Sequence, residues 1–196
     1  MKKFILTAVA ASFGMLLHAQ VYMSTSSSTT FYSYTPMENI DATSDKGTYM
    51  IVSKDGTHNV IGKVEIKSFH FKNGLMEEHF NENYMETDKE GPKGKDGKPT
   101  YPNKFATFKG KINESVNLEQ DGVHDVTITG KLNIHGVEKD KTIKAKLTIA
   151  GGKITVDSKF NVPLKDHNIK VPEAVGAKIA EVIQVTVKAV LEEKKK

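Results

Sequence analysis

The second half of the chain alternates apolar and polar residues with a period of two, and this feature limits the fold more than any other. From Phe105 onward, Ile, Val, Leu, Phe or Ala recurs at every second position over long stretches, with mostly Lys and Thr between. Successive side chains of a β-strand point to opposite faces, so each stretch predicts a strand with one dry and one wet face. Five segments show the pattern: 105–118, 125–134, 142–149, 154–162 and 183–191.

Three further strands are predicted in the first half of the chain. Short strands are expected at about 30–34 and 48–54, separated by turn-prone residues such as Pro36. A third begins near Val60, and its alternation changes phase at Ser68, which predicts a β-bulge. The total of eight strands, joined mostly by short turns, is typical of a closed meander. The predicted fold is therefore all-β, an eight-stranded antiparallel β-barrel.

The apolar face of this barrel is expected to point inward. An outer-membrane barrel would carry its apolar residues outside, with aromatic girdles and a polar lumen. This chain has no tryptophan, and its lysines run along whole strands, as on a wall that faces water. A barrel of about eight strands can be filled by its own side chains or can hold one slender ligand. The alternation leaves both possibilities open.

One segment of helical periodicity separates the early strands from the late ones, and it predicts an amphipathic helix over 74–87. Asn73 can cap its start, and two glutamates occupy the first turn, where the helix dipole favours acids. No proline interrupts it. We expect this helix to cover one end of the barrel as a lid. Its apolar stripe consists of Leu75, Met76, Phe80 and Tyr84.

The ends of the chain carry segments that differ from the barrel. Residues 1–19 begin with two early lysines and an apolar run, a pattern that predicts a cleaved secretory signal peptide; the run is too short to cross a bilayer comfortably. Residues 20–29 are rich in Ser and Thr and predict a flexible lead-in. One barrel domain is then expected over 30–193, followed by a basic tail, 194–196.

Composition excludes several classes of function. The chain has no cysteine, so it forms no disulfide and carries no lipid-anchored cysteine. All 28 basic residues are lysines, which removes the forked guanidinium that readers of phosphates and bases prefer. We therefore expect no nucleic-acid partner.

Residues 88–103 are rich in Gly, Lys and Pro and predict a solvated loop, with a protein-docking arm as the alternative.

Residues suited to catalysis are scattered. The chain has no nucleophile elbow, no phosphate-binding loop and no cysteine nucleophile. His70 and His79 could converge with Glu77 or Glu78 at the barrel mouth, which keeps a hydrolase or isomerase as one hypothesis. The spacing of the histidines matches no metal motif. No enzyme activity, cofactor or metal is expected, and His135 is interpreted as a structural hydrogen-bonding residue.

Five blocks of the sequence together carry a resemblance to a known family. They are Leu75 to Lys89, Phe105 to Ile112, Ile128 to Lys139, Phe160 to Lys170 and Ile183 to Leu191. As a set they resemble the YceI-like family, and the resemblance covers essentially the whole chain after the predicted signal peptide. It implies an exported, lipocalin-like barrel that binds a long amphiphile, typically a polyisoprenoid, in an apolar tunnel without catalysis. If the ligand carries a phosphate, Lys72, Lys89 or Lys104 near the rim could meet it.

The resemblance also implies which side chains form the tunnel wall and which partner fills it. The expected ligand is an isoprenoid or fatty-chain lipid. The alternative is an interaction module whose barrel is filled by the same side chains, and a homodimer could form through the edge of the short first strand. The candidate ligand-binding residues are Phe69, Phe71, Leu75, Met76, Phe80, Tyr84, Met85, Phe108 and Phe160.

Overall fold

A computed structural model describes residues 19–195 and shows ten antiparallel strands in one sheet. The predicted signal peptide, apart from its last residue, and the last residue of the predicted basic tail lie outside this range. The strands are β1 (Gln20–Tyr34), β2 (Asn39–Ser44), β3 (Thr48–Lys54), β4 (Thr57–Glu65), β5 (His70–Phe71), β6 (Phe105–Ile112), β7 (Gly122–Ile134), β8 (Val137–Ala150), β9 (Lys153–Pro163) and β10 (Val182–Glu193).

Eight of the strands close into a barrel. The order β1, β3, β4, β6, β7, β8, β9, β10 returns to its start, because β10 pairs again with β1 from Tyr22 opposite Glu193 to Tyr32 opposite Gln184. β1 pairs with β3 at its beginning and with β2 at its end, and β2 in turn carries β5. The predicted eight-stranded antiparallel barrel is confirmed, with β2 and β5 extending the wall at one end.

The prediction of a flexible lead-in over 20–29 is wrong, because these residues form most of β1. The alternation is hidden by a register shift in the β1–β10 pairing between Ser24 and Ser26. Tyr22 before this shift and Thr29 after it are both buried, although their positions differ by an odd number, which would place them on opposite faces of a regular strand. β1 pairs with β10 along one side and with β3 and β2 at the two ends of its other side, so the edge through which a homodimer could form is largely paired within the chain.

The phase change at Ser68 is not a β-bulge. The chain leaves β4 through a turn of 3₁₀-helix, Ile66–Ser68, and then forms the short β5. The Ser68 hydroxyl donates to the carbonyl of Glu65 and bonds to the Ser44 hydroxyl at 2.7 Å. This turn lifts the chain from the barrel wall and directs it toward the helix.

The predicted helix is present but shorter and less regular than expected. Helix α1 (Gly74–His79) continues as a π-helical turn, Phe80–Tyr84, and together these form the lid. Asn73 caps α1 as predicted, since its side-chain oxygen accepts from the backbone N–H groups of Leu75 and Met76. The chain leaves the lid through Glu86, which has a φ of 44°. No helix within residues 19–195 is long and apolar enough to cross a lipid bilayer.

The loop at 88–103 is mostly exposed and folds back on itself. Lys93 and Pro99 form an isolated antiparallel bridge, and the Thr100 hydroxyl donates to the carbonyl of Pro92 at 2.7 Å. Asn103 at its end is buried and donates to the carbonyl of Glu86 at 3.3 Å. The loop is therefore anchored where it meets the lid.

One end of the barrel is packed solid. The connection between β6 and β7 folds inward there and buries Val116 and Leu118. This inward-folded connection is called the plug. A ring nitrogen of the buried His58 lies 2.8 Å from the carbonyl oxygen of Val116, and this hydrogen bond holds the plug in place. Inward-facing side chains of the strands complete this core, among them Ile51, Ile112, Leu147, Ile149, Ile154 and Leu191.

Replacing Gly130 with alanine should destabilise the barrel strongly. Gly130 of β7 lies opposite Gly110 of the neighbouring strand β6, and a Cβ at Gly130 would overlap the backbone of Lys109 and Gly110. Overpacking of this kind costs about 1–3 kcal/mol or more. Denaturant unfolding measures the loss. Gly74→Ala is the control, because nothing lies within 4 Å of its added methyl. Equal stability of the two variants would contradict the close approach of the β6 backbone to Gly130.

The stability of the barrel should fall as pH is lowered through the range in which histidine titrates. His167 is buried, its Nδ1 lies 3.0 Å from the Val137 carbonyl oxygen, and burial lowers its pKa below the usual 6.5. Below that value the unfolded chain binds a proton that the folded chain resists, so the free energy of unfolding rises with pH between the two pKa values.

The His167→Asn variant tests this pH dependence, since an asparagine amide can replace the Nδ1 donor but does not titrate. Its free energy of unfolding should change less than that of the wild type between the folded pKa of His167 and 6.5. Parallel curves for wild type and His167→Asn would refute the assignment.

Candidate functional site

The lid end of the barrel encloses a cavity of about 480 Å³. Its walls are the inner faces of the strands, the lid, and the segments around Leu164 and Val175 that follow β9. Ligand sites in proteins commonly measure about 300–1,000 Å³, so the volume suits one small molecule or chain. The space exists because several inward positions at this end carry little or no side chain, namely Thr29, Ser33, Gly62, Ala106 and Ser158.

Accessibility along β10 shows where packing stops and the cavity begins. Inward-facing Leu191 is 1% exposed, Ala189 3% and Val187 9%. The next two inward residues, Val185 and Ile183, are only partly buried although they point into the barrel. The surface they expose faces the cavity, and therefore the strand's own side chains do not fill this half.

Tyr49 forms part of the floor of the cavity. Its ring contacts both the packed core and the cavity lining, and a further void of about 30 Å³ lies beside it. The ring sits over two glycines: a Cβ would come within 2.7 Å of it at Gly47 and 3.2 Å at Gly62. Its hydroxyl bonds to the Thr29 hydroxyl at 2.5 Å. Burial raises the pKa of Tyr49 to about 12, so the phenol keeps its proton at neutral pH.

A cluster of phenylalanines joins the lid to the wall. Phe31 of β1 stacks on Phe80 of the lid, with ring centroids 5.2 Å apart. The same ring contacts Phe69 at 5.3 Å and Phe71 at 5.6 Å. Aromatic pairs at such distances add about 0.5–1.5 kcal/mol beyond area burial. The cluster gives the upper cavity an aromatic wall and holds the lid over it.

The far end of the lid is held by a polar network. His135 and Gly136 both have positive φ, as a type I′ turn between β7 and β8 requires. The His135 ring places Nε2 3.2 Å from the Glu86 carboxylate and Nδ1 3.2 Å from the carbonyl oxygen of His167. Both partners are acceptors, so both bonds form together only on the protonated ring. The hydrogen bond from Lys89 is the main cause that lowers the pKa of Glu86.

Charged groups lie at the rim of the cavity. Glu38 and Lys178 both line it, with carboxylate and ammonium 3.7 Å apart. Leu75, at the start of the lid, also lines the cavity and is 59% exposed. An apolar interior below a charged rim suits an amphiphilic molecule with its hydrocarbon part inside.

The lysines suggested for a phosphate group occupy other positions. Lys72 pairs with Asp41 at 3.1 Å, Lys89 with Glu86 at 2.9 Å and Lys104 with Glu65 at 3.4 Å, and none of the three lines the cavity. Lys178 does, but sequence reasoning missed it. The segment around it has no β periodicity, and its partner Glu38 is remote in the chain.

All nine candidate ligand-binding residues line the cavity. Met85 is the most buried of them and lies beneath the lid, whereas Leu75 stands at the mouth. The period-two alternation of the late strands could have added residues of β9 and β10 to the candidates, such as Val156 and Val185. Phe31 and Tyr49 had no comparable signal, because each lies in an early strand with weak alternation. Their placement depends on the closed barrel.

The histidines proposed for catalysis are not brought together into a reactive group. His70 lies 3.7 Å from the Glu77 carboxylate, but that carboxylate also accepts from the backbone N–H of Phe71 at 3.1 Å and so has a structural role. His79 lies on the cavity lining. Within residues 19–195, no group of three His, Asp or Glu side chains is arranged to hold a metal ion.

Solved structures similar to this chain share its fold at low sequence identity. BcnA from Burkholderia cenocepacia is 17% identical, with a TM-score of 0.63 over 84% of this chain and 95% of that one. A polyisoprenoid binding domain from Saccharophagus degradans, implicated in plant cell wall breakdown, is 13% identical, with a TM-score of 0.68 over 90% and 100%. The YCEI protein of Campylobacter jejuni is 16% identical, with a TM-score of 0.55 over the whole of both chains.

Comparison with protein families identifies the chain more directly than these structures. A search of curated protein sequences gives no match. The family model described as the YceI-like domain matches residues 20–191, from the first residue of β1 almost to the end of β10. The match therefore includes every strand of the barrel and the lid above the cavity, and the protein belongs to the YceI-like family.

Proposed function

We propose that this protein binds a long-chain amphiphile, a polyisoprenoid or another lipid, in the cavity beneath the lid and performs no catalysis. One observation carries the proposal: the barrel encloses about 480 Å³ that its own, mostly apolar, side chains leave unfilled. The similar structure from Saccharophagus degradans is a polyisoprenoid binding domain, which supports the same ligand class.

The energetics favour a hydrocarbon chain in this space. Burying apolar groups contributes roughly 0.8 kcal/mol per methylene, so a long tail supplies several kcal/mol before the entropy of ordering it is subtracted. Met76 and Met85 line the cavity, and their flexible thioethers can adapt to an irregular, methyl-branched chain. The stacked Phe31 and Phe80 rings offer a further flat apolar surface.

The alternative, an interaction module with a filled barrel, receives less support. A filled core would show the same low exposure along the whole of β10, as Ala189 and Leu191 do. Val185 and Ile183 are instead partly exposed toward the cavity, as expected for side chains that line a ligand site.

We also propose that the protein is exported to the periplasm or secreted after cleavage of residues 1–19. The apolar run in this segment supports export. β1 begins at Gln20, so cleavage after Ala19 would remove no residue of the barrel. The amino-terminal sequence of the protein from its native compartment tests this: it should begin at or near Gln20. An intact Met1 there would disprove processing.

Protein isolated from its native compartment should carry a lipid. Native mass spectrometry should show a discrete extra mass, and organic extraction should release an isoprenoid or fatty chain that mass analysis identifies. Bare protein that also fails to bind added polyprenyl lipids would contradict the proposal and favour the interaction module.

Filling the cavity should abolish binding without unfolding the barrel. Val185→Trp places an indole in the cavity, whereas Thr186→Trp, the next residue of β10, places it on the outer wall. We expect the first variant to bind a dansyl-labelled isoprenoid alcohol at least about tenfold more weakly, the equivalent of 1.4 kcal/mol, and the second to bind normally. Fluorescence titration measures both affinities, and thermal unfolding checks the fold. Equal affinities would place the ligand elsewhere.

A further inference from the structure

At the floor of the cavity, the hydroxyls of Thr29 and Tyr49 have one hydrogen for which no described residue supplies an acceptor. Thr29 and Tyr49 place their hydroxyls 2.5 Å apart, and either can be the donor. Two hydroxyls carry two hydrogens, and their mutual bond uses one. Among the described residues, neither hydroxyl has a second hydrogen-bond partner. One O–H donor therefore remains unused in largely apolar surroundings.

A neighbouring hydroxyl at the same level differs from this pair. Ser158 lies two strands from Thr29, across Val187, and also lines the cavity. Its hydroxyl already donates to the backbone carbonyl of Lys144 at 2.9 Å. Ser158 thus has no hydrogen left for a ligand, and the free donor at this level belongs to the Thr29–Tyr49 pair.

The position of this donor is fixed by the backbone around it. The Tyr49 ring lies over Gly47 and Gly62, where a side chain at either glycine would press on it. Thr29 is 4% exposed in the middle of β1, between β10 and β2. A donor held in this way loses little freedom when a ligand binds, and preorganisation of this kind raises affinity and selectivity.

An unused buried donor destabilises the protein. A polar group left unpaired in apolar surroundings keeps the cost of its desolvation, which an acceptor on the ligand would offset. Three basic residues among those described line the cavity, and none places its charge at the floor. Lys178 lies at the rim, His79 lies on the lid, and the ammonium of Lys63 lies over the Phe105 ring, 3.8 Å from its centroid. An anionic acceptor would be buried there without a counter-charge, so only an uncharged oxygen fits.

Resting on the lipid binding proposed above, we propose that the ligand carries an uncharged hydrogen-bond acceptor at its inner end, a carbonyl, ester or ether oxygen that accepts the spare hydrogen of the Thr29–Tyr49 pair. The hydrocarbon part of the chain then lies between this floor and the rim. A second, charged group, where the ligand has one, stays at the rim beside Glu38 and Lys178.

Two matched probes test this assignment. Hexahydrofarnesylacetone is a saturated, branched isoprenoid methyl ketone, and norpristane is the hydrocarbon with the same carbon skeleton and no acceptor. The full chain should bind the ketone about tenfold more tightly than the hydrocarbon, the worth of one hydrogen bond of about 1.4 kcal/mol. The infrared stretch of the bound ketone's carbonyl should move to lower frequency than in an alkane solvent.

Removing both hydroxyls should abolish the selectivity alone. Thr29→Val combined with Tyr49→Phe keeps the shape of the floor but leaves no donor, so the ketone should lose its about tenfold advantage, norpristane should bind as before, and the carbonyl stretch should return to its alkane value. Unchanged norpristane affinity also shows that the variant folds. Tyr32→Phe is the control: it removes the hydroxyl of a tyrosine of β1 that does not line the cavity, so the preference should remain.

The outcomes separate this inference from the function on which it rests. If the wild type binds neither probe, lipid binding itself fails. If it binds both equally with an unshifted carbonyl, or if the double variant keeps the preference, the donor at the floor is disproved and lipid binding stands. Loss of the preference in Tyr32→Phe, which leaves both floor hydroxyls in place, would also overturn the inference.

Discussion

The structure depends on the pairing of its first strand with its last. β1 and β10 run antiparallel from Tyr22 opposite Glu193 to Tyr32 opposite Gln184, and this ladder turns an open sheet into a barrel. Without it the sheet would have two long free edges, and the apolar faces of its strands would have no common interior. The Thr29–Tyr49 pair links β1 to its other neighbour, because β1 supplies one hydroxyl and β3 the other.

Closure creates an interior, and the sizes of the inward side chains decide how it is used. At one end, the plug of Val116 and Leu118 meets large inward residues, and together they form one cluster of buried apolar side chains. At the other end, small residues such as Gly62 and Ala106 leave space. The aromatic cluster around Phe31 packs the lid over that space without filling it.

The lid is attached at two sites of different chemistry. Apolar contacts of Phe80 hold its middle, and the network of His135 and Glu86 holds its end. The loop at 88–103 connects to the second site through Asn103. The π-helical turn at Phe80–Tyr84 is a local irregularity of the kind often found near functional sites, and here it turns two aromatic residues toward the cavity.

Local patterns in the sequence predicted which face of most strands is buried, the number of barrel strands and the Asn73 cap, because periodicity and capping are local properties of the chain. The nine candidate residues that line the cavity were implied by the resemblance to the family. The prediction for the start of β1 was wrong, since the register shift after Ser24 reverses the phase of the alternation and pairing with β10, β3 and β2 stabilises the strand. Two features could be seen only in the tertiary structure: the unfilled half of the barrel, and the pairing of Lys178 with Glu38 at its rim. Both depend on distances and summed volumes between residues far apart in the chain, which no local pattern encodes.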